Sequence, residues 1–244
     1  RGKSVPGDFS GEIPIRSQEE TVPLSFAQQR LWFLDQLEGE STAYHIPVAV
    51  HLTGFLRVEV LQRCFDEIVC RHEALRTTFV DRDGDPQQIV HREVETSMSI
   101  NDLQHVSEEE KLAEVHKIAN EEFQLPFDLA NGPLIRFTLL KSGVEDHVLL
   151  ITMHHIISDA WSIGILFREL TTLYQTFSEE RPSPLPELKI QYPDFSIWQC
   201  REMNGSLFEK NLGYWKEQLT GATEILHLPT DRPRPPVQTN RGSI

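Results

Sequence analysis

The stretch "ITMHHIISDAWSIG", residues 151–164, sets two adjacent histidines, His154 and His155, at the exit of an apolar run, with Asp159 four positions after the second. Imidazole takes or gives a proton near neutral pH, and a nearby carboxylate can fix its tautomer or raise its pKa. Nearly every residue from Val148 to Ile157 is apolar or β-branched, the pattern of a strand buried on both faces. Neighbouring strand residues point to opposite faces, so the two histidines do not readily chelate one metal, and only one of them faces any given cavity. The pair therefore reads as one working imidazole and one packing neighbour. Asp159 has two roles open to it. It can act on the histidine, or it can hold the turn by accepting backbone N–H groups or pairing with an arginine; a turn aspartate directly before a helix favours the structural role.

Other chemistries find less support. There is no G-x-S-x-G elbow for a serine nucleophile and no HExxH or Cys/His cluster for a metal. Cys64, Cys70 and Cys200 are an odd number without CxxC spacing, which indicates neither a disulfide framework nor a zinc site; Cys64 and Cys70 fall in an apolar helical pattern and are expected to be buried, reduced thiols. A formal net charge of -14 opposes nucleic acid as a partner, because phosphate binding requires a basic surface. No apolar stretch reaches the roughly 18 to 20 residues of a membrane span, and residues 1–20 carry no apolar signal core, so a cytoplasmic protein is expected.

The elements that position the histidines follow from periodicity. "PLSFAQQRLWFLDQLEG" predicts a first helix, with Phe26, Leu31, Phe33, Leu34 and Leu37 at mostly helical spacing, Ser25 as N-cap and Gly39 as stop. "YHIPVAVHLTG" alternates as a strand, and "LRVEVLQRCFDEIVCRHEAL" is a helix with Val60, Cys64, Ile68 and Val69 on one side. Asp83-Gly84 marks a hairpin. "SEEEKLAEVHKIANEEF" opens with Ser107 and Glu110 at capping-box spacing, "PLIRFTLLKSGVEDHVLLITMHHII" holds two strands, and "AWSIGILFRELTTLYQTF" is a long helix. The fold class is α/β (α+β), a mixed β-sheet flanked by helices. Residues 1–20 and 223–244 read as a linker and a connector on either side of a domain spanning 21–222.

"MHHIISDAWS" resembles the HHxxxDG signature of nonribosomal peptide synthetase condensation domains, shared more loosely with chloramphenicol acetyltransferase and other CoA-dependent acyltransferases. Two further motifs stand upstream in the family's order: "LSFAQQRLWFLDQLE" resembles SxAQxRLWxL, and "RHEALRTTF" resembles RHExLRTxF. The likeness runs from about residue 21 to 244, and "RLWFLDQLEGESTAYHIP" resembles the type that joins an L-donor to an L-acceptor. Ala160 stands where the family motif has Gly; it is costly if that position needs a positive φ and tolerable if it is an ordinary first helical turn.

The resemblance implies one chloramphenicol-acetyltransferase-like lobe, the N-terminal one, with a connector toward a C-terminal lobe. It implies amide formation between an acyl or peptidyl thioester and an aminoacyl thioester, both on phosphopantetheine arms of carrier proteins, with no cofactor on the domain itself. The partners it implies are an upstream donor carrier, a downstream acceptor carrier, the C-terminal lobe and an adenylation domain. His155 would be the catalytic residue, His154 would pack, and Asp159 would pair with Arg71 or Arg76, with Arg71 preferred. The alternatives are an acyltransferase using free CoA, an epimerase-like relative, and a non-catalytic carrier-docking lobe.

Overall fold

The computed structural model describes residues 12–17, 19–39, 41–203, 206–222, 229, 232 and 233. The chain divides into two compact units, Arg1–Cys200 and Arg201–Ile244. Within the first unit a four-stranded sheet runs in the order β2 (His45–Thr53), β7 (Asp146–His154), β6 (Ile135–Lys141), β5 (Ser99–Asp102). β5 and β6 are parallel and the other pairs antiparallel, so the sheet is mixed. A second sheet joins β1 (Val22–Pro23), β4 (Asp85–Val90) and β3 (Thr77–Arg82). The β3–β4 turn is Asp83-Gly84, both at positive φ, as a two-residue hairpin on this dipeptide requires.

Strand β7 is central and buried on both faces, which explains its nearly unbroken apolar run. Leu149, Ile151 and Met153 point into the main core, where α2 (Val58–Arg71) supplies Cys64, Phe65 and Ile68, and α4 (Ala160–Ser178) supplies Leu166, Leu170 and Leu173. Val148 and Leu150 point the other way, against Val115, Ile118 and Phe123 of α3 (Glu108–Gln124). The residues after Met153 inherit these two faces.

Helix α1 (Phe26–Glu38) starts at Ser25, which accepts the Gln28 N–H, while Gln28 Oε1 accepts the Ser25 N–H; Gly39 ends it at φ 71°. Its apolar positions do not all face inward: Leu31 is buried, but Phe33 and Leu37 are exposed. At the start of α3 the Ser107 hydroxyl donates to the Glu110 carboxylate at 2.6 Å instead of accepting a backbone N–H, so the expected capping box is replaced by a side-chain pair. Cys64 is buried as expected, whereas Cys70 is exposed, because it lies on the side of α2 opposite the Cys64–Ile68 stripe. Burial pushes the Cys64 thiol up to about 12, which leaves it an inert core residue.

Part of the expected linker is anchored. Arg16 donates through its backbone N–H and Nη1 to Asp194, in the first turn of α5 (Tyr192–Glu202), and pairs with Glu73 at 2.7 Å. Residues 1–11 and 18 of the linker, and almost all of the connector 223–244, lie outside the described residues. In the second unit, α6 covers Ser206–Gln218. Among the described residues no helix is long and apolar enough to cross a membrane.

Candidate active site

The two histidines are separated by the pleat of β7. His154 lies opposite His45 in the β2–β7 register and is 2% exposed. Its ring stands edge-on to His45 and Phe127, and His45 in turn bonds through Nδ1 to the Phe123 carbonyl at 3.0 Å. His154 Nδ1 accepts the Ile156 N–H at 3.1 Å, so the proton of the neutral ring is assigned to Nε2. Burial first, and then the neighbouring His45 and His155, push its pKa down to about 4. His154 is thus a neutral packing residue that shapes the backbone of the turn.

His155 lies one step further and on the other face. Its N–H donates to the Tyr44 carbonyl at 2.8 Å, which extends the ladder by one residue and keeps His155 in phase with Met153. Its side chain is exposed. Three hydrogen bonds hold the turn that carries it: His154 N–H to Leu134 O, Ile157 N–H to His154 O, and the Gln28 side-chain amide to Ile156 O at 3.3 Å. A backbone fixed in this way aims an exposed imidazole without needing a partner for the ring.

Gln28 carries more than its sequence position announces. It is 2% exposed and its amide serves the Ser25 N–H, the Gln88 side chain and the Ile156 carbonyl together. In the sequence Gln28 is the glutamine of the SxAQxRLWxL-like stretch and stands three residues after the Ser25 N-cap, yet a helical polar residue ordinarily faces water and neither sign announces its contact with Ile156.

Asp159 is the N-cap of α4. Its Oδ1 accepts the Ser162 N–H at 2.8 Å and the Ser162 hydroxyl at 2.6 Å. The Ser162 hydroxyl first, then the Ser162 N–H, hold this carboxyl below the usual range. The structural role expected for Asp159 is present, but the arginine partner is not: among the described residues Asp159 forms no ion pair. Arg71 Nε donates instead to Glu169 Oε1 at 3.2 Å, and His72 Nε2 lies 2.7 Å from Glu169 Oε2. Arg76 pairs with Glu73 and donates to the Cys70 and His91 carbonyls. The reason is geometric. A capping carboxylate turns toward its own helix's orphan N–H groups, while Arg71, at the end of α2, meets the α4 residue that α2 packs against.

Ala160 is the first residue of α4 and is absent from the positive-φ positions. The methyl therefore costs nothing in backbone strain, which decides the question left open by its departure from Gly. Among the described residues no cluster of His, Cys, Asp and Glu could hold a metal ion.

The condensation-domain family model matches residues 18–244, and the chain belongs to that family. It is 45% identical over 232 residues to a linear gramicidin synthase from Brevibacillus parabrevis, covering 95% of this chain and 4% of that protein. It is 38% identical over 244 residues to phosphinothricin tripeptide synthetase PhsC of Streptomyces viridochromogenes, covering 22% of it. The chain thus spans a small share of these curated relatives. Among solved structures, the X-domain from teicoplanin biosynthesis, solved with OxyB, superposes with a TM-score of 0.79 at 29% identity, over 92% of this chain and 49% of that one. The starter condensation domain of the rhizomide synthetase RzmA gives 0.77 at 20% identity, over 84% and 49%, a likeness of fold.

Proposed function

We propose that this chain is the histidine-bearing half of a condensation catalyst, which joins an upstream acyl or peptidyl thioester to a downstream aminoacyl thioester. The observation that carries this reading is the division of labour between the motif histidines: His154 is buried and neutral, while His155 is exposed on a turn tied by backbone hydrogen bonds to Leu134 and Tyr44.

In the proposed reaction the acceptor α-amine attacks the donor thioester carbon. The C–N bond forms, the C–S bond breaks, and the departing thiolate takes up the proton the amine loses. A free α-amine has a pKa of about 7.7 to 8.0, so an appreciable fraction is neutral at cellular pH and deprotonation is not the main barrier. His155 would orient the amine and accept its proton as the tetrahedral intermediate forms, and each effect is worth orders of magnitude. His154 shapes the turn, Asp159 starts the helix behind it, and Arg71 ties α2 to α4 through Glu169.

The matched solved chains are about twice as long as the region this chain covers in them. We assign the opposing wall of the reaction channel to that second lobe, the substrates to phosphopantetheine arms of donor and acceptor carrier proteins, and the module to the cytoplasm with an adenylation domain. The domain is proposed to hold no cofactor of its own.

The test is reconstitution. The complete two-lobed protein is mixed with loaded donor and acceptor carriers, or with the acyl-CoA of the same donor, and amide product is followed by mass spectrometry. Product from the carrier pair supports condensation. Product from acyl-CoA alone, or none from correctly loaded carriers, contradicts it.

A further inference from the structure

A cavity of about 100 Å³ opens between α2, the 3-10 turn Glu73–Arg76 and the first turns of α4. Its floor is buried and apolar: Ile68, Leu75, Met153, Ile157 and Leu166. Half-buried Ala74 and Ile165 also line it. Met153 and Ile157, which line it, stand two residues before and two after the exposed His155, and His72, Ser158 and Ser162 complete the lining.

We propose that this cavity takes the short aliphatic side chain of a carrier-bound aminoacyl substrate and so sets substrate preference at His155. The proposal rests on the amide-forming reading above for what the substrate is. Size and lining select the class of side chain. An apolar cavity of about 150 Å³ accepts benzene and stays dry otherwise, so one of this volume has room for roughly four carbons. A branched group of leucine or valine size matches it, a glycyl substrate leaves it empty, and an aromatic ring overfills it. The lining holds no Asp, Glu, Lys or Arg side chain; its polar groups are the Ser158 and Ser162 hydroxyls and His72, whose Nε2 is engaged by Glu169, so an ionic side chain would lose its hydration without a charged partner. One methylene in a hydrophobic pocket discriminates by about 10- to 200-fold. A leucyl substrate should therefore exceed a glycyl one by at least about tenfold in affinity.

Binding can be read without turnover. In the 244-residue chain, the methyl NMR signals of Ile68, Met153, Ile157 and Leu166 are followed while leucyl, glycyl and phenylalanyl thioesters of N-acetylcysteamine are added. The expected result is a saturable shift of these methyls with the leucyl compound, at least about tenfold weaker binding of the glycyl one, and no saturation with phenylalanyl. Ala74→Leu should fill the cavity and abolish the leucyl response while the melting temperature stays near that of the parent. Should Ala74→Leu not fold, Ile165→Ala serves: it widens the cavity and should admit the phenylalanyl compound. Unshifted methyls, equal affinity for leucyl and glycyl compounds, or variants that change nothing would overturn the pocket. The condensation reading is judged separately by amide product, so product without methyl shifts removes the pocket alone, and methyl shifts without product remove the reaction alone.

Discussion

Gln28 of α1 donates to the carbonyl of Ile156 at 3.3 Å, so the first helix of the chain holds the peptide unit directly behind His155. Replacing it by leucine removes the partner of the Ser25 N–H, of the Gln88 side-chain oxygen and of the Ile156 carbonyl in a buried place. Each unpaired group costs about 1–3 kcal/mol. Gln28→Leu should lower the melting temperature by at least roughly 6 °C and lower kcat with it. A melting curve superposable on the parent's would show that the bond carries nothing.

Asp159 should behave as a helix cap. Asp159→Ala should cost about 1 kcal/mol, the ordinary loss for a cap, and not the larger loss of a stranded buried arginine. Asp159→Asn should recover most of it. Because the folded pKa is depressed, the charged carboxylate stabilises the fold above the unfolded value and this contribution is lost as pH falls through the lower folded value. The difference in melting temperature between parent and Asp159→Asn should therefore shrink only below about pH 4. A loss of several kcal/mol on Asp159→Ala would restore the arginine pairing.

Glu169 should matter more than Asp159 to stability. It is buried and serves both Arg71 and His72. Removing one partner of such a pair costs about 3–5 kcal/mol, so Glu169→Ala should be the more damaging change in urea unfolding. Equal midpoints for the two variants would contradict the assignment.

His154 gives the fold an acid sensitivity. Its pKa is lowered to about 4 in the folded protein against about 6.5 unfolded, so the unfolded chain binds the proton first as pH falls. Stability from this residue is full above about pH 6.5 and is lost on the way down to about pH 4, by roughly 3 kcal/mol. His154→Phe should flatten that part of the stability curve. An unchanged slope between these pH values would place the sensitivity elsewhere.

What the sequence made legible were features set by a residue's own neighbours. The apolar run ending in His154-His155 showed a strand buried on both faces, and its period of two separated the rings before any fold was known. Asp83-Gly84 and Ser25 are likewise local, since turn and cap are decided within four residues. The partners of Arg71 and Gln28 lie about 100 and 128 residues away on other elements, and no spacing rule reaches that far. The exposure of Cys70 has a related reason, as has that of Phe33 and Leu37 on a correctly placed helix: a helical period shows which residues share a face, but which face is covered depends on what packs there. Ser107 and Glu110 had the right spacing, yet the hydroxyl found the carboxylate before it found a backbone N–H.

The most direct measurement is single-turnover amide formation by the complete two-lobed protein carrying His155→Ala, with loaded donor and acceptor carriers in excess and folding checked by melting temperature. The expected result is a rate at least about 100-fold below the parent's, from lost orientation and proton acceptance, with the melting temperature within about 2 °C because the exposed ring supports no packing. A well-folded His155→Ala protein that forms the amide at near-parent rate would contradict a chemical role for this histidine.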